Sequence, residues 1–124
     1  MLFAKLKGAV VTALDTRQDR LQFCRDALQV AQTVEVAPGD KEQLSKMSND
    51  EFFDVVFDAT GNIKAMERGL EFVAHGGTYV LVSIVRDTLS FSDPEFHKRE
   101  TSLLGSRNAT IEDFQDVIAA MRAG

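Results

Sequence analysis

Short apolar runs separated by stretches of helical periodicity constrain this chain more than any other feature. Ala9 to Leu14 (AVVTAL) is rich in β-branched residues, follows Gly8 and ends at Asp15, as a buried strand does. Thr16 to Leu28 then sets Leu21, Phe23, Cys24, Ala27 and Leu28 on one helical stripe, with Asp15 or Thr16 as its cap. Val30 to Val36 (VAQTVEV) alternates like a strand wet on one face. Pro38-Gly39-Asp40 breaks it, and Asp40 to Met47 reads as a short polar helix. Phe53 to Ala59 (FDVVFDA) is the next strand, closed by Thr60-Gly61. Asn62 caps a helix to about Ala74, with Ile63, Met66, Leu70 and Val73 on one face. Gly76-Gly77 ends that helix and starts a strand from Thr78 to Val85 (TYVLVSIV), and Thr88 to Phe91 reads as a short extra strand. Ser92-Asp93-Pro94 opens a single turn through His97, and Ser102 to Gly105 is a last short strand. Thr110 caps a final helix with Ile111, Phe114, Val117, Ile118 and Met121 on one side, and Glu112 and Asp113 in its first turn suit the helix dipole.

Strand and helix in alternation, with near-continuous apolar strands, point to an α/β fold. The expected form is a parallel, Rossmann-type three-layer sheet with helices on both faces and right-handed crossovers. A length of 124 residues, 44% hydrophobic and 27% charged, suits one globular domain over 1–124. The apolar runs are too short to cross a bilayer, and Met1 to Gly8 is too short and lysine-interrupted to be a secretory signal. A net charge of −5 argues against a phosphate-tracking surface and so against nucleic acid as partner. A lone cysteine, Cys24, makes no internal disulfide and fits a reducing, cytoplasmic setting. With His75 and His97 it leaves three N/S donors, none at zinc-site spacing. Cys24 reads as packing on its stripe, His75 as a helix C-terminal residue, and His97 as solvated.

In parallel sheets ligands bind at the carboxyl ends of strands. The first strand ends in Asp15, and an acid there can accept hydrogen bonds from adenosine ribose hydroxyls while repelling a 2′-phosphate. Arg20 lies one turn into the following helix, within reach of the same ribose. The plainer role for Asp15 alone is a helix cap. The next strand ends in Asp58-Ala59-Thr60-Gly61, another in Val82-Ser83-Ile84, and the last in Gly105-Ser106-Arg107-Asn108. Four consecutive strand ends with small, polar or acidic residues favour a crevice that binds a flat ligand.

These segments (AVVTALDTRQDRL, FDVVFDATG, HGGTYVLVSI and TSLLGSRNATIEDF) resemble, in order and spacing, the cofactor domain of zinc-type, medium-chain alcohol and polyol dehydrogenases. The resemblance covers nearly the whole chain. The GSRNA segment looks closest to bacterial members acting on sugar acids and sugar alcohols, galactonate-type among them. It implies an oxidoreductase that moves hydride between a secondary alcohol and NAD. Asp15 matches the acid that binds the adenosine ribose, and Arg20 a basic residue touching it. Thr60 and Gly61 match the segment beside the cofactor's ribose and adenine side, Val82 and Ile84 the strand touching the nicotinamide amide and ribose, and Ser106 and Asn108 the backbone positions that hold the carboxamide. No residue here matches a catalytic or metal-binding position. Arg17 departs from the NAD pattern, because a basic group two residues after the acid can favour a 2′-phosphate and so leaves NADP open.

The resemblance also implies parts that these residues lack. The fold's first strand and its G-x-G-x-x-G turn are missing, which makes the fold a truncated one, a partial NAD(P)-binding domain. Zinc would sit only in a missing catalytic domain, so the isolated chain is predicted inactive. Without its central strand, Ala9–Leu14 either pairs with Phe53–Ala59 or leaves an open edge. Open apolar edges, with Thr88–Phe91 as a further candidate, favour self-association into a homodimer or larger assembly. The parent's substrate would be a small polyol or sugar acid. Two rivals stand beside this reading: a non-enzymatic α/β association module, and a receiver-like phosphoacceptor domain. The second wants a neighbouring acidic pair and a strand-end lysine, and Gly105-Ser106 stands where that lysine would be.

Overall fold

A computed structural model describes residues 1–124, which fall into two compact units, Met1–Phe52 and Phe53–Gly124. The first unit runs α1 (Leu2–Leu6), β1 (Thr12–Asp15), α2 (Gln18–Asp26), β2 (Gln32–Glu35) and α3 (Asp40–Met47). β1 and β2 are parallel, with Thr12 opposite Gln32 and Asp15 opposite Glu35. α2 is the crossover between them. Its Leu21 and Cys24 pack with Ala13 and Val30, flanked by Val11 and Leu28, whereas Phe23 and Ala27, expected on the same stripe, are exposed. The Lys5 Nζ donates to the carbonyls of Leu28 (2.6 Å) and Gln29 (2.9 Å), which closes the exit of this crossover. β1 starts at Thr12 rather than Ala9 because the preceding residues finish α1. Gly8 N–H donates to Lys5 O, Ala9 N–H to Ala4 O, and Gly8 takes φ 83°.

The second unit runs β3 (Phe53–Asp58), α4 (Ile63–Gly69), a 3-10 turn (Leu70–Phe72), β4 (Val73–Leu81), α5 (Asp93–Lys98), β5 (Ser102–Gly105) and α6 (Ile111–Ala123). Its sheet is parallel throughout, in the order β3-β4-β5. In register, Val56, Tyr79 and Leu103 share one side, and Phe57, Val80 and Leu104 the other. The first side is closed by α4. Tyr79 is fully buried and donates its hydroxyl to Met66 O at 2.7 Å. Gly69 makes room for it, since a Cβ there would lie 2.7 Å from Tyr79 Cζ. On the other side Phe57 keeps 62% of its surface exposed, and Leu104 is exposed as well. α6 has the capping box Thr110/Asp113, with Asp113 N–H donating to Thr110 Oγ1 (3.3 Å) and Thr110 N–H to Asp113 Oδ2 (2.7 Å). Its apolar stripe, with Phe114 and Ile118, is exposed.

The parallel α/β architecture is the expected one, and α3, β5 and α6 fall where the sequence puts them. Besides β1, α2 and β2, which are shorter than expected, the boundaries around β4 differ. The helix after Asn62 gives way at Gly69–Phe72, and β4 begins at Val73, running through Gly76-Gly77 instead of starting after it. The register shifts there, Phe53 facing Val73 but Val55 facing Thr78. Gly76 takes φ 71°, and a Cβ on Gly77 would sit 2.9 Å from Ala74 O and 3.0 Å from Asp54 O. The glycines therefore make a bulge inside the strand. β4 stops at Leu81, not Val85, because the N–H groups of Val82 (2.9 Å) and Ser83 (3.2 Å) both turn to Asp58 O. Thr88–Phe91 is not a strand: Ser90 N–H goes to the Glu67 carboxylate, and the segment joins no ladder. β1 has β2 as its one ladder partner and β3 has β4, so each presents an unpaired edge. No helix is long and apolar enough to cross a membrane.

Tyr79 offers a direct test of this core. Tyr79→Phe keeps the ring and deletes one buried hydrogen bond, so stability in a urea titration at pH 7 should fall by about 1 kcal/mol. Burial, and secondarily the Asp58 carboxylate, push the phenol's pKa up. A folded pKa above the unfolded value of about 10 leaves this group's contribution intact below that pH and removes it as pH climbs through the folded value. The stability gap between the parent and Tyr79→Phe chains should therefore narrow above about pH 10. A gap that is constant across that range would contradict the assignment.

Candidate functional site

The strand-end residues divide between the two units. In the first, Asp15 closes β1. Its carbonyl accepts from Val36 N–H (3.0 Å), extending the ladder past Glu35, and its Oδ1 accepts from Arg17 N–H (2.9 Å), which turns the chain into α2. That contact is a side-chain turn ahead of the helix and not the cap expected of Asp15 or Thr16: the N-cap residue of α2 is Arg17, and no side chain caps it. The turn uses one lone pair of one oxygen. The Asp15 Oδ2 lies 3.5 Å from Arg20 Nη1, an ion pair the sequence reading did not anticipate, and the Asp15 side chain keeps 29% exposure. A carboxylate oxygen has capacity for more than one donor, so lone pairs remain for hydroxyl groups. Beside this pair, Arg17 is tied to Asp19 through Nε–Oδ1 (3.0 Å) and Nη2–Oδ2 (2.5 Å). This contact holds the Arg17 guanidinium's pKa up and the Asp19 carboxyl below its ordinary value. Across the ladder from Asp15, the Glu35 carboxylate accepts from the Gln18 amide.

In the second unit the organising group is Asp58, 6% exposed at the end of β3. Its Oδ1 accepts from Thr60 N–H (3.1 Å), from Thr60 Oγ1 (3.1 Å) and from Ser83 Oγ (2.9 Å). Ser83 Oγ in turn accepts from Gly61 N–H (3.0 Å), and Thr60 Oγ1 from Asn62 N–H (3.2 Å). Thr60, Gly61 and Ser83 are thereby held as one rim across the β3 and β4 ends. Asn62 Oδ1 starts α4 by accepting from Ala65 N–H (3.1 Å). Val82 and Ile84 lie beyond the ladder, and Ile84 is 81% exposed. Ser106 N–H donates to Leu81 O at 2.9 Å, so that donor is used to lengthen the β4–β5 ladder. Asn108 is exposed and takes φ 62°, a left-handed position that Asn tolerates.

Sequence reasoning singled out Asp58 and Ser83 only as strand-end residues and missed their shared network. The Asp-x-Thr-Gly spacing was the available signal, since Asp followed two residues later by Thr favours a side-chain-capped turn. Asp19 carried no signal beyond an acid in a first helical turn. No group of three or more His, Cys, Asp or Glu side chains could hold a metal ion, and the lone thiol, Cys24, is buried in the first unit's core. The donors present do not fit a zinc ion, and no step is derived through one. The Asp15 carboxylate, by contrast, is partly exposed and keeps acceptor capacity at its strand end.

Over 121 residues the chain is 40% identical to the L-galactonate-5-dehydrogenase of Escherichia coli K12, matching 98% of this chain and 36% of that protein. Over 112 residues it is 26% identical to the D-xylulose reductase of Scheffersomyces stipitis, matching 90% of this chain and 30% of that protein. It thus spans about a third of the length of the curated relatives it matches. Among solved structures, the alcohol dehydrogenase of Aeropyrum pernix superposes with a TM-score of 0.88 at 18% identity, over 98% of this chain and 36% of that one. The D-arabinose dehydrogenase of Sulfolobus solfataricus gives 0.84 at 17%, over 99% and 38%. At such identities the likeness shows the fold. The sequence matches a family described as zinc-binding dehydrogenase over residues 1–123, and the chain belongs to that family.

Proposed function

We propose that residues 1–124 are a partial NAD(P)-binding domain of a zinc-type dehydrogenase, and that they recognise NAD through the β1 end. The observation that carries this is the Asp15 carboxylate. It is accessible, paired with Arg20, and turned toward the start of α2 by a single backbone hydrogen bond. The adenosine ribose would donate its hydroxyls to Asp15, with Arg20 beside it. In the second unit, taken by itself, Thr60 and Gly61, fixed by Asp58 and Ser83, form a rim of small groups, and Val82 and Ile84 add exposed apolar surface. For Ser106 and Asn108 the carboxamide role would fall on groups other than the Ser106 N–H. The bound nicotinamide supplies the hydride-accepting carbon. What these residues do is bind and orient it.

The 40% identity to an L-galactonate-5-dehydrogenase supports a parent enzyme that oxidises a secondary alcohol of a sugar acid or polyol. A buried free cysteine suits a cytoplasmic setting. Self-association is part of the proposal. The outer edges of β1, β2, β3 and β5 lack ladder partners, and the sheet side carrying Phe57 and Leu104 is exposed, so a second copy would gain both ladder bonds and apolar burial.

Affinity for NAD should be weak, because no G-x-G-x-x-G phosphate cradle lies among these residues. We expect a Kd of about 1 mM, or about −4 kcal/mol. Titration of NAD into the isotope-labelled chain should move the amides of Asp15 to Arg20. Asp15→Ala should weaken NAD more than NADP, whereas equal losses would remove the ribose role from Asp15. Light scattering should report a dimer or larger assembly, and a monomer at every accessible concentration would refute self-association.

A further inference from the structure

Two arginines flank the Asp15 carboxylate, and they are not in equivalent states. Arg20 reaches Asp15 itself, at 3.5 Å. Arg17, whose own N–H is held by Asp15 Oδ1, commits its guanidinium to Asp19. The contact is bidentate, with Nε–Oδ1 at 3.0 Å and Nη2–Oδ2 at 2.5 Å, the fork-on-fork geometry that matches guanidinium to carboxylate. A ribose 2′-phosphate would ask for the same fork. At neutral pH it carries nearly two negative charges and binds best to a guanidinium presenting two parallel N–H groups. Arg17 is the basic group whose spacing from Asp15 would otherwise favour NADP. In the folded chain its fork is already filled by a carboxylate four residues after Asp15.

We propose that Asp19 is a specificity-determining residue: by holding the Arg17 guanidinium it denies a 2′-phosphate its cation and biases the site toward NAD. The inference rests on Asp15 as the ribose-binding acid. Asp15 sets the preference by accepting the hydroxyl, and Asp19 keeps the nearby arginine from undoing it. Both partners of the Arg17–Asp19 pair are exposed, so the bias is moderate and salt-sensitive.

The test uses the full chain, isotope-labelled, titrated with 5′-AMP and with 2′,5′-ADP and followed by NMR. Asp19→Asn should tighten 2′,5′-ADP by roughly fivefold, as expected for releasing one exposed ion pair, and leave 5′-AMP within about twofold. Adding Arg17→Ala to Asp19→Asn should abolish the gain, and 0.5 M salt should shrink it by about half or more. Equal tightening of both nucleotides by Asp19→Asn, no change in either, or a gain that survives Arg17→Ala would each overturn the role of Asp19. In all three of those cases 5′-AMP still moves the Asp15 to Arg20 amides. If 5′-AMP leaves those amides unmoved in the unsubstituted chain, the ribose reading of Asp15 fails, and the inference fails with it.

Discussion

Asp15 and Asp58 use the same backbone device, and the functional character of each strand end follows from how far that device is saturated. In both, the carbonyl accepts an N–H from the strand-end residues of the next strand: Val36 to Asp15 (3.0 Å) and Val82 to Asp58 (2.9 Å). In both, Oδ1 accepts the N–H two residues on, Arg17 (2.9 Å) or Thr60 (3.1 Å). One acid thus closes a parallel ladder with its main chain and turns the chain toward the crossover helix with its side chain. The difference is burial. Asp58 is almost wholly enclosed, and an enclosed carboxylate persists only when hydrogen bonds replace its lost water. Thr60 Oγ1 and Ser83 Oγ supply them. Asp58 is therefore spent on the protein. Asp15 has one backbone donor, a loosely held arginine and open surface, which is the condition of a group that can meet a ligand.

That distinction was only half legible in the sequence. Both acids stand at the end of an apolar run, and the pattern that finds strand ends finds both. What separates them is Ser83, twenty-five residues from Asp58, whose arrival depends on where β4 stops. The end of β4 was hard to read because the run TYVLVSIV stays apolar past the last ladder bond. Its start was hidden for the opposite reason. Gly76-Gly77 carries the ordinary mark of a helix stop, yet here the glycines let the strand bulge against Asp54 and Ala74. Thr88–Phe91 has strand-like composition and no ladder partner, and composition alone does not provide one. By contrast, α6 begins just after Thr110, where a capping box decides the boundary, and α3 begins at Asp40 after Gly39, whose φ of 92° makes the turn, so both starts are written in adjacent residues.

The two units also differ in how their apolar groups are used. In the first, the α2 stripe is matched by β1 and β2, and Leu21, Val34 and Leu44 are essentially without exposure. In the second, Tyr79 and Val73 are enclosed while Phe57, Leu104 and the α6 stripe are exposed. Scattered apolar residues on a surface need no explanation, but register sets Phe57, Val80 and Leu104 side by side on one side of one sheet. A row of that kind is what a partner surface covers. The unpaired edge of β3 adjoins that row, so covering the row and extending the ladder would occur together.

Charge at the β1 end follows the same economy as hydrogen bonding at the β3 end. Asp15, Arg17, Asp19 and Arg20 lie within six residues and sum to zero, but their pairing is selective. The bidentate contact goes to Arg17–Asp19, and the 3.5 Å contact to Arg20–Asp15. Strong pairing removes both members from chemistry, because a ligand must first break a two-point contact. Weak pairing leaves Asp15 with acceptor capacity and Arg20 with donors, on adjacent points of one turn. A diol bridging them would donate to the carboxylate and accept from the guanidinium, whereas a phosphate would gain one cation and meet the Asp15 carboxylate. Neutral overall, the turn is still asymmetric toward hydroxyl groups, and the asymmetry lies in which aspartate holds which arginine rather than in how many of each are present.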